Sequence, residues 1–440
     1  MTPAISAGDT AWVLISTALV MLMVPGLALF YGGLVRQKNA LNTFMMSLSA
    51  LGIVSVQWVL VGYSLAFGPG SSWLGSLAWW GLGHVGAAPN TAYAATVPHL
   101  AFAAFQAMFA AITVALISGA VVERLRFSAY LLFTLAWTTF VYDPLARWVW
   151  GDGGWLRSLG ALDFAGGTVV HVSAGTAALV AAIMLGRRRA IARGALVPHN
   201  VPFTLLGAGL LWFGWFGFNA GSALGANAVA VNALVTTHSA AAAALSLWLV
   251  LDLWRSGRTT AVGAATGAVV GLVAITPAAG FVTPRAALLI GVIASASSYA
   301  AMHLRSRTRI DDALDVFACH GVAGIVGALL TGVFATTSVN PSGANGLLAG
   351  NAAQLGVQAV AVLATMALSG SLTAAIIVGL RAVMAVRASL GDELTGLDAS
   401  DHGEEAYHVG DVGELAGGAP LGGVILIHAD EEPATEATAA

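Results

Sequence analysis

Two histidines lie deep in apolar stretches of the chain, and each stands in a similar short phrase. The phrases are His171-Val-Ser-Ala-Gly175 and His320-Gly-Val-Ala-Gly324, so a glycine follows each histidine by four residues. A polar side chain is costly in hydrocarbon, so such residues face a protein interior and mark a transport path or a cofactor. The pair alone is compatible with ligand binding, a proton relay or the axial ligation of a haem.

An aspartate precedes each histidine at a short distance. Asp163 lies eight residues before His171, and Asp315 lies five residues before His320. Each carboxylate is expected to cap the start of the following helix by accepting backbone N–H bonds. The matching contexts indicate an internal duplication that contributes one histidine from each half.

The amino-acid composition indicates that this chain folds in a lipid bilayer rather than in water. Of the 440 residues, 58% are hydrophobic and 9% are charged, whereas about 25% are charged in soluble domains. A stretch of about 20 apolar residues crosses the hydrocarbon core as a helix. We therefore predict an all-α polytopic membrane protein with eleven transmembrane helices. They are predicted at about 11–34, 43–66, 99–121, 128–149, 165–186, 201–222, 229–251, 261–279, 286–304, 314–335 and 350–385.

The distribution of basic residues predicts the orientation. With the N-terminus outside and the C-terminus inside, 15 of the 18 Lys and Arg residues fall on the cytosolic side. The opposite orientation leaves 3 inside, so the positive-inside rule favours the N-out, C-in arrangement.

The two histidines fall on the fifth and tenth predicted helices. An offset of five helices reverses the direction of crossing, so helices 1–5 and 6–10 are predicted to be inverted repeats, followed by a long eleventh helix. The interface of such repeats, near the midplane, is the usual place for a substrate site. His171 lies ~12 Å from the outer start of its helix and His320 ~7.5 Å from the inner start of its own. The two rings are therefore expected to meet near the centre of the membrane.

Aromatic rings and a hydroxyl are predicted near the outer ends of helices three, four and six: Phe105, Phe109, Trp148, Trp150, Phe218 and Ser222. Phe105, one tryptophan and Ser222 are expected to surround an outer vestibule. Phe109 and Phe218 lie one turn deeper and are expected to close the way to the histidines. Aromatic faces and a hydroxyl acceptor suit a small cation.

The chain divides into a membrane domain, residues 1–387, and an acidic cytosolic tail, residues 388–440. The tail holds 12 of the 21 acidic residues and no Lys or Arg. Its part at about 391–410 is expected to dock on basic cytosolic loops, and its end to be disordered. Cys319 is the only cysteine, which excludes an intrachain disulfide and a cysteine-based metal cluster. No metal or cofactor is expected.

Four motifs carry a resemblance to a known family. They are Pro25-Gly-Leu-Ala-Leu-Phe-Tyr-Gly-Gly-Leu-Val-Arg36, Asp163-Phe-Ala-Gly-Gly-Thr-Val-Val-His171, Trp212-Phe-Gly-Trp-Phe-Gly-Phe-Asn-Ala-Gly-Ser222 and Asp315-Val-Phe-Ala-Cys-His320-Gly. Over about residues 10–410 the sequence resembles the ammonium transporter/Rhesus (Amt/Rh) family, especially its bacterial members. The resemblance implies a homotrimer in the bacterial plasma membrane that transports ammonium and methylammonium through a pore in each subunit. It implies neither an enzyme nor a nucleic-acid-binding protein.

The resemblance also implies roles for individual residues. Phe105, Trp150 and Ser222 would bind the cation, and Asp163 would support that site. Phe109 and Phe218 would form a gate, with His171 and His320 as the pore histidines. The tail around 391–407 would be a regulatory segment where PII-type signalling proteins act. The stretch after Trp150, Gly-Asp-Gly-Gly-Trp155, departs from the family pattern, so the choice between Trp148 and Trp150 stays open.

Two other functions remain open at this stage. An ammonium sensor would use the same fold and report through its tail. A b-type haem electron carrier would use His171 and His320 as axial ligands and would show a Soret band.

Overall fold

The computed structural model describes residues 4–189 and 197–407. These residues form an all-helical structure without β-strands, as predicted from the composition. Eleven apolar helices, α1 to α11, follow one another along the chain. Their bounds are Ala7–Leu34 (α1), Gln37–Phe67 (α2), His99–Val121 (α3), 127–149 (α4), Gly167–Leu185 (α5), Val201–Ala220 (α6), Ala228–Ser256 (α7), Ala261–Ile275 (α8), Pro284–Ser306 (α9), Phe317–Phe334 (α10) and Ala353–Val383 (α11).

Nine of the helices in the described ranges are long and apolar enough to cross a membrane. The two others are α8, which is shorter, and α4, which consists of Phe127–Trp137, the π turn Thr138–Tyr142 and Asp143–Val149. Every segment predicted from hydropathy coincides with a helix. The prediction of an all-α polytopic membrane protein is therefore confirmed, while the number of crossings and the orientation stay predictions.

The helices pack in two equivalent sets. In the first half α2 packs on α3 and α4, and α3 packs on α5; in the second half α7 packs on α8 and α9, and α8 packs on α10. The pairs α1–α6 and α5–α10 join the halves, and α11 packs on both α5 and α10. This correspondence supports the predicted internal duplication and places α5 against α10 at the junction.

Glycine determines how closely α5 and α10 approach. A Cβ atom on Gly175 would lie 2.2 Å from the backbone nitrogen of Gly321, and one on Gly324 would lie 3.1 Å from the carbonyl oxygen of Gly167. Small residues allow such contact between helix backbones. The glycine four residues after each histidine is therefore the contact that brings the two histidine-bearing helices together.

The described residues outside the apolar helices form loops and short helices. The short helices are Trp80–Leu82, Trp155–Leu159, Leu347–Ala349, Leu390–Thr395 and the π turn Asp398–His402. The described residues up to 406 belong to the same compact unit as the apolar helices. The predicted disordered end of the tail lies outside the described residues.

Candidate functional site

The two histidines of the repeated phrase face each other. Nδ1 of His171 lies 3.2 Å from Nδ1 of His320, and the ring centroids are 5.3 Å apart with an angle of 22° between the planes. Both rings are buried. A hydrogen bond between two Nδ1 atoms requires one to carry the proton and the other to accept it. The pair is thus a single hydrogen-bonded unit built from both halves of the chain.

Both histidines lie in π turns at the first turns of their helices, Gly167–Val172 in α5 and Phe317–Val322 in α10. Single π turns are rare and occur often at functional sites. Here they occupy equivalent positions in the two halves. The sequence contains no simple signal for this geometry.

Asp163 caps the π turn of α5, as predicted. Its carboxylate accepts the backbone N–H groups of Gly166, Gly167, Thr168 and Val169 at 2.5 to 3.1 Å, as well as the Thr168 hydroxyl. A carboxylate that accepts this many donors is fixed in place and complements the positive end of the helix. The hydrogen-bonding capacity of this carboxylate is therefore used by the start of α5.

The prediction that Asp315 caps α10 is wrong. Asp315 has a left-handed backbone (φ 57°), and its carboxylate forms an ion pair with Arg305 at the end of α9. The cap is Asp312, whose Oδ2 accepts the N–H of Phe317 at 2.7 Å. The left-handed turn at Asp315 directs the side chain toward α9 and leaves the helix start to the earlier aspartate.

Phe109 of α3 and Phe218 of α6 form a stacked pair on one side of the histidines. Their ring centroids lie 4.2 Å apart with an angle of 21°, and both rings are buried. The Phe218 ring lies 6.0 Å from that of His171. His171 also stacks on Trp215 at 5.4 Å. The histidine pair is therefore enclosed by aromatic rings on the side where the gate was predicted.

A cavity of about 220 Å³, here called the first cavity, lies beyond this phenylalanine pair. Trp150 and Ser222 line it, as expected for a tryptophan and the serine of the outer vestibule, and Phe109 lines it as well. The Ser222 hydroxyl donates to the carbonyl oxygen of Phe218 at 2.8 Å, so its lone pairs remain available to accept a hydrogen bond. Phe105, which was also predicted to surround the outer vestibule, is not among the residues that line this cavity. Its buried ring packs on that of Phe109, with the ring centroids 4.9 Å apart.

The structure distinguishes the two tryptophans between which the sequence left a choice. Trp150 lines the first cavity, and its ring lies 6.0 Å from that of Phe109. Trp148 instead donates to the carbonyl oxygen of Trp73 at 2.9 Å and packs on the rings of Trp73 and Trp155. Only Trp150 is placed to contact a cation in this cavity.

Sequence reasoning missed several polar residues in the wall of the first cavity: Tyr93, Gln106 and Arg157. Gln106 lies one residue after Phe105, on the face of α3 that the aromatic spacing did not single out. Tyr93 and Arg157 belong to segments between apolar helices, for which hydropathy gives no position. A charged side chain between two predicted spans was the one signal that pointed to Arg157.

A narrow space of about 10 Å³ adjoins the histidines, lined by apolar residues of several helices together with His171 and His320. That volume holds about one water molecule. It cannot hold a porphyrin, so the haem alternative is excluded on size.

A second cavity, of about 180 Å³, lies on the other side and shares Phe30 with the narrow space. Cys319, next to His320 in the chain, lines it together with Arg36, Glu123, Arg188 and Asp315 among others. Two cavities are thus separated by a short apolar passage that contains the histidine pair. The space between the two cavities is therefore narrow and mostly apolar.

Buried ion pairs organise the second cavity. The Glu123 carboxylate contacts Arg36 at 3.0 Å and Arg188 at 2.8 Å. Burial raises the pKa of Glu123, but hydrogen bonds and charge from the two arginines outweigh it and lower the pKa overall. Burial likewise opposes ionisation of Asp311, and Arg188 lowers the pKa of that carboxyl to about 2. Both carboxylates are therefore ionised at neutral pH.

Residues 389–402, here called the docking segment, contact the loops around this network. Glu393 pairs with Arg387 at 2.7 Å and accepts the N–H of Arg189 at 2.7 Å. Asp398 accepts the N–H groups of Leu41 and Asn42 at the start of α2, at 3.0 and 2.7 Å. The acidic segment thus binds a helix start as well as basic side chains, because a helix N-terminus also attracts anions.

Residues 11–407, which are nearly the whole described part of the chain, match the sequence model of the Ammonium Transporter Family. The chain belongs to the ammonium transporter family. Membership places it among multi-pass membrane transporters rather than enzymes, in agreement with its apolar helices.

Individual members of the ammonium transporter family show the same similarity. The ammonium transporter of Bacillus subtilis strain 168 is 50% identical over 401 residues, which cover 91% of this chain and 98% of that protein. An ammonium transporter of Aquifex aeolicus is 50% identical over 410 residues, 92% of this chain and 94% of that protein.

Solved structures of the family share the fold. Mep2 of Saccharomyces cerevisiae superposes with a TM-score of 0.81 at 38% identity, covering 86% of each chain. A structure described as a sensor Amt protein superposes with a TM-score of 0.83 at 31% identity, covering 90% of this chain and 98% of that one. The family fold therefore includes a protein described as a sensor as well as transporters.

Proposed function

We propose that this protein transports ammonium across the bacterial plasma membrane through a pore in each subunit. The observation that carries the proposal is the histidine pair between two cavities, with the Phe109–Phe218 stack on one side. The ammonium transporters among its relatives support the substrate. We further propose that three such subunits form a homotrimer and that the first cavity faces outward.

The first cavity recruits the cation in this proposal. The Trp150 ring offers cation–π attraction and the Ser222 hydroxyl accepts a hydrogen bond from the ammonium ion. The Phe105 ring packs against Phe109 of the proposed gate. Asp163 fixes the region by capping α5, and its negative charge favours a cation nearby.

Ammonium loses its proton near the phenylalanine gate, because an ion is costly in an apolar passage this narrow. Neutral ammonia then passes His171 and His320. The released proton either returns to the outside or moves through the histidine pair. Potassium ions have no proton to release, so they gain nothing from this route and are excluded.

Methylammonium uptake tests the proposal. We expect His171→Ala and His320→Ala to change uptake or its selectivity over potassium. His238→Ala is the matched control, because His238 lies exposed on α7 and contacts the Trp212 ring, which lines neither the first cavity nor the narrow space at the histidine pair. Unchanged uptake and selectivity in both pore variants would refute the pore assignment.

Currents on solid-supported membranes separate the two possible fates of the proton. An ammonium-dependent current that is absent with potassium indicates net movement of charge. Uptake without current indicates net transport of ammonia.

A sensor function is the second candidate, favoured by the contacts of the docking segment with the loops of the second cavity and by the similarity to a sensor Amt protein. We propose that a PII-type signalling protein acts at this face in either case. Retained ammonium binding with near-zero methylammonium uptake would establish the sensor and reject the transporter.

A further inference from the structure

The first cavity has one formally charged residue among the described residues that line it, and that residue is a cation. Arg157 lies on the short helix Trp155–Leu159 and shares the cavity wall with Trp150. Its guanidinium donates to the carbonyl oxygen of Trp150 at 2.9 Å and to that of Ala92 at 3.3 Å. Within the described ranges, no carboxylate oxygen lies within ion-pair distance of it.

These contacts hold the positive charge in place without neutralising it. Ala92 belongs to the loop between α2 and α3, and Trp150 follows the end of α4. Two neutral carbonyl acceptors from separate segments therefore fix the guanidinium at the wall. A bidentate carboxylate partner would have cancelled the charge. The cation that enters the cavity therefore meets a positive charge without an ion-pair partner, beside the aromatic ring that would bind the cation.

We propose that Arg157 is a specificity-determining residue that repels divalent cations from the first cavity while tolerating monovalent ones. The proposal rests on the transport function proposed above. Coulomb repulsion doubles when the charge of the entering ion doubles. A repulsion that weakens monovalent binding about threefold therefore weakens divalent binding about ninefold.

The stronger repulsion of divalent cations matters because the binding groups of the first cavity suit a divalent ion poorly. Aromatic faces and the Ser222 hydroxyl suit an ion that loses its water easily, whereas magnesium dehydrates reluctantly and prefers several oxygen ligands. A divalent ion that settled in the cavity would nonetheless block the entrance. The arginine keeps the entrance clear at a small loss of affinity for the transported ion.

A charge series at this position tests the proposal in proteoliposomes. Methylammonium uptake is measured for the wild type, Arg157→Lys, Arg157→Gln and Arg157→Glu at low and high sodium chloride, with and without calcium chloride. We expect KM at low salt to be unchanged for Lys, about threefold lower for Gln and about tenfold lower for Glu. High salt reduces these differences because it screens the charge. Calcium inhibits the Glu variant and leaves the wild type nearly unaffected.

Arg285→Glu is the matched control. It makes the same change in net charge at the start of α9, outside the wall of the first cavity. Its KM and calcium sensitivity are expected to equal those of the wild type.

Other outcomes would overturn the proposal. A similar, salt-independent rise in KM in all three Arg157 variants would show that Arg157 only holds Trp150 in position. An unchanged KM together with the absence of calcium inhibition in the Glu variant would show that Arg157 does not select against divalent cations. Wild-type protein without saturable uptake would instead refute the proposed transport function, so the two failures are distinguishable.

Discussion

Trp150 donates its indole N–H to the carbonyl oxygen of Asp163 at 2.9 Å, and the carboxylate of the same aspartate caps α5. One residue thus fixes both the aromatic wall of the first cavity and the start of the helix that carries His171. The proposed cation site and the proposed pore lining therefore share Asp163 as a common support. A change at this position is expected to disturb both at once.

Replacement of Trp150 separates its role from that of Trp148. We expect Trp150→Ala to raise the KM for methylammonium about tenfold, because cation–π attraction in a desolvated site contributes about 1–2 kcal/mol. Trp148→Ala is expected to leave KM within about twofold of the wild-type value and to lower thermal stability, because Trp148 packs on Trp73 and Trp155. Uptake kinetics and thermal unfolding of both variants in detergent test this. Equal KM values for the two variants would contradict the assignment.

Asp311 and Asp312 are neighbours in the chain with opposite pKa shifts. Burial and repulsion from Asp315 raise the pKa of Asp312 to about 6, whereas Arg188 lowers that of Asp311 to about 2 against the effect of burial. Above pH 6 the native state therefore holds a costly charge on Asp312, and this penalty disappears as the pH falls through 6 toward 4. The stabilising contribution of Asp311 is present above pH 4 and is lost between pH 4 and pH 2.

The two asparagine variants are therefore expected to differ in sign at pH 7. Asp312→Asn raises the free energy of unfolding by up to about 3 kcal/mol, because the amide oxygen still accepts the N–H of Phe317. This gain shrinks below pH 6. Asp311→Asn lowers the free energy of unfolding by about 2 kcal/mol. Thermal unfolding in detergent as a function of pH measures both, and a destabilised Asp312→Asn protein at pH 7 would show that its charge is needed.

Docking of the acidic segment is testable by trypsin, because Arg387 is the last Lys or Arg of the chain. Its side chain is held by Glu393 and by the carbonyl oxygen of Leu185 at the end of α5, so we expect slow cleavage there in the native protein. Asp398→Ala removes the acceptor at the start of α2 and is expected to speed cleavage several-fold. Glu404→Ala, at an exposed position in the same region, is the control. Equal cleavage rates in the two variants would argue against docking through Asp398.

Asp143 is a buried carboxyl in α4 whose Oδ2 accepts a hydrogen bond from Gln57 of α2 at 2.7 Å, while its Oδ1 has no hydrogen-bond partner. A charge there is costly, so we expect the carboxyl to carry a proton. Asp143→Asn, a neutral group of the same shape, should then leave the melting temperature nearly unchanged. Gln57→Leu should lower the melting temperature, since the substitution removes the hydrogen-bond partner of the buried carboxyl.

Infrared spectroscopy provides an independent readout of that carboxyl. The wild type is expected to show a carboxylic acid band that Asp143→Asn lacks. The absence of any such difference, together with strong destabilisation of the Asn variant, would indicate an ionised Asp143.

The sequence predicted the helices and the histidine pair because both depend on strong local signals. Apolar length fixes the helices, and the repeated phrase marks His171 and His320 together with the glycines that let α5 and α10 approach. The Trp148/Trp150 choice could not be made from sequence, because it depends on which face of the α4 end meets the loop containing Trp73. Asp312 could not be singled out as the cap ahead of Asp315, because a left-handed turn at Asp315 is not encoded by a residue type that requires it.

The residues that line the first cavity were even harder to predict from the sequence. Gln106, Tyr93 and Arg157 come from different segments, and nothing in their local sequence indicates that they line the same cavity. Such convergence depends on tertiary packing, whereas hydropathy and spacing report only local order. Asp143 and Gln57 similarly look like isolated polar interruptions until α2 and α4 are placed side by side.

The π turns around the two histidines make the proposed pore sensitive to chain length. Successive residues of an α-helix are rotated by about 100° around its axis. Deleting one residue between Gly167 and His171 would convert the wide turn to an ordinary one and turn the imidazole relative to the Asp163 cap, while the remainder of α5 kept its packing. Loss of a single in-frame codon in either turn is therefore a route to a closed or leaky pore in a protein that still contains both histidines.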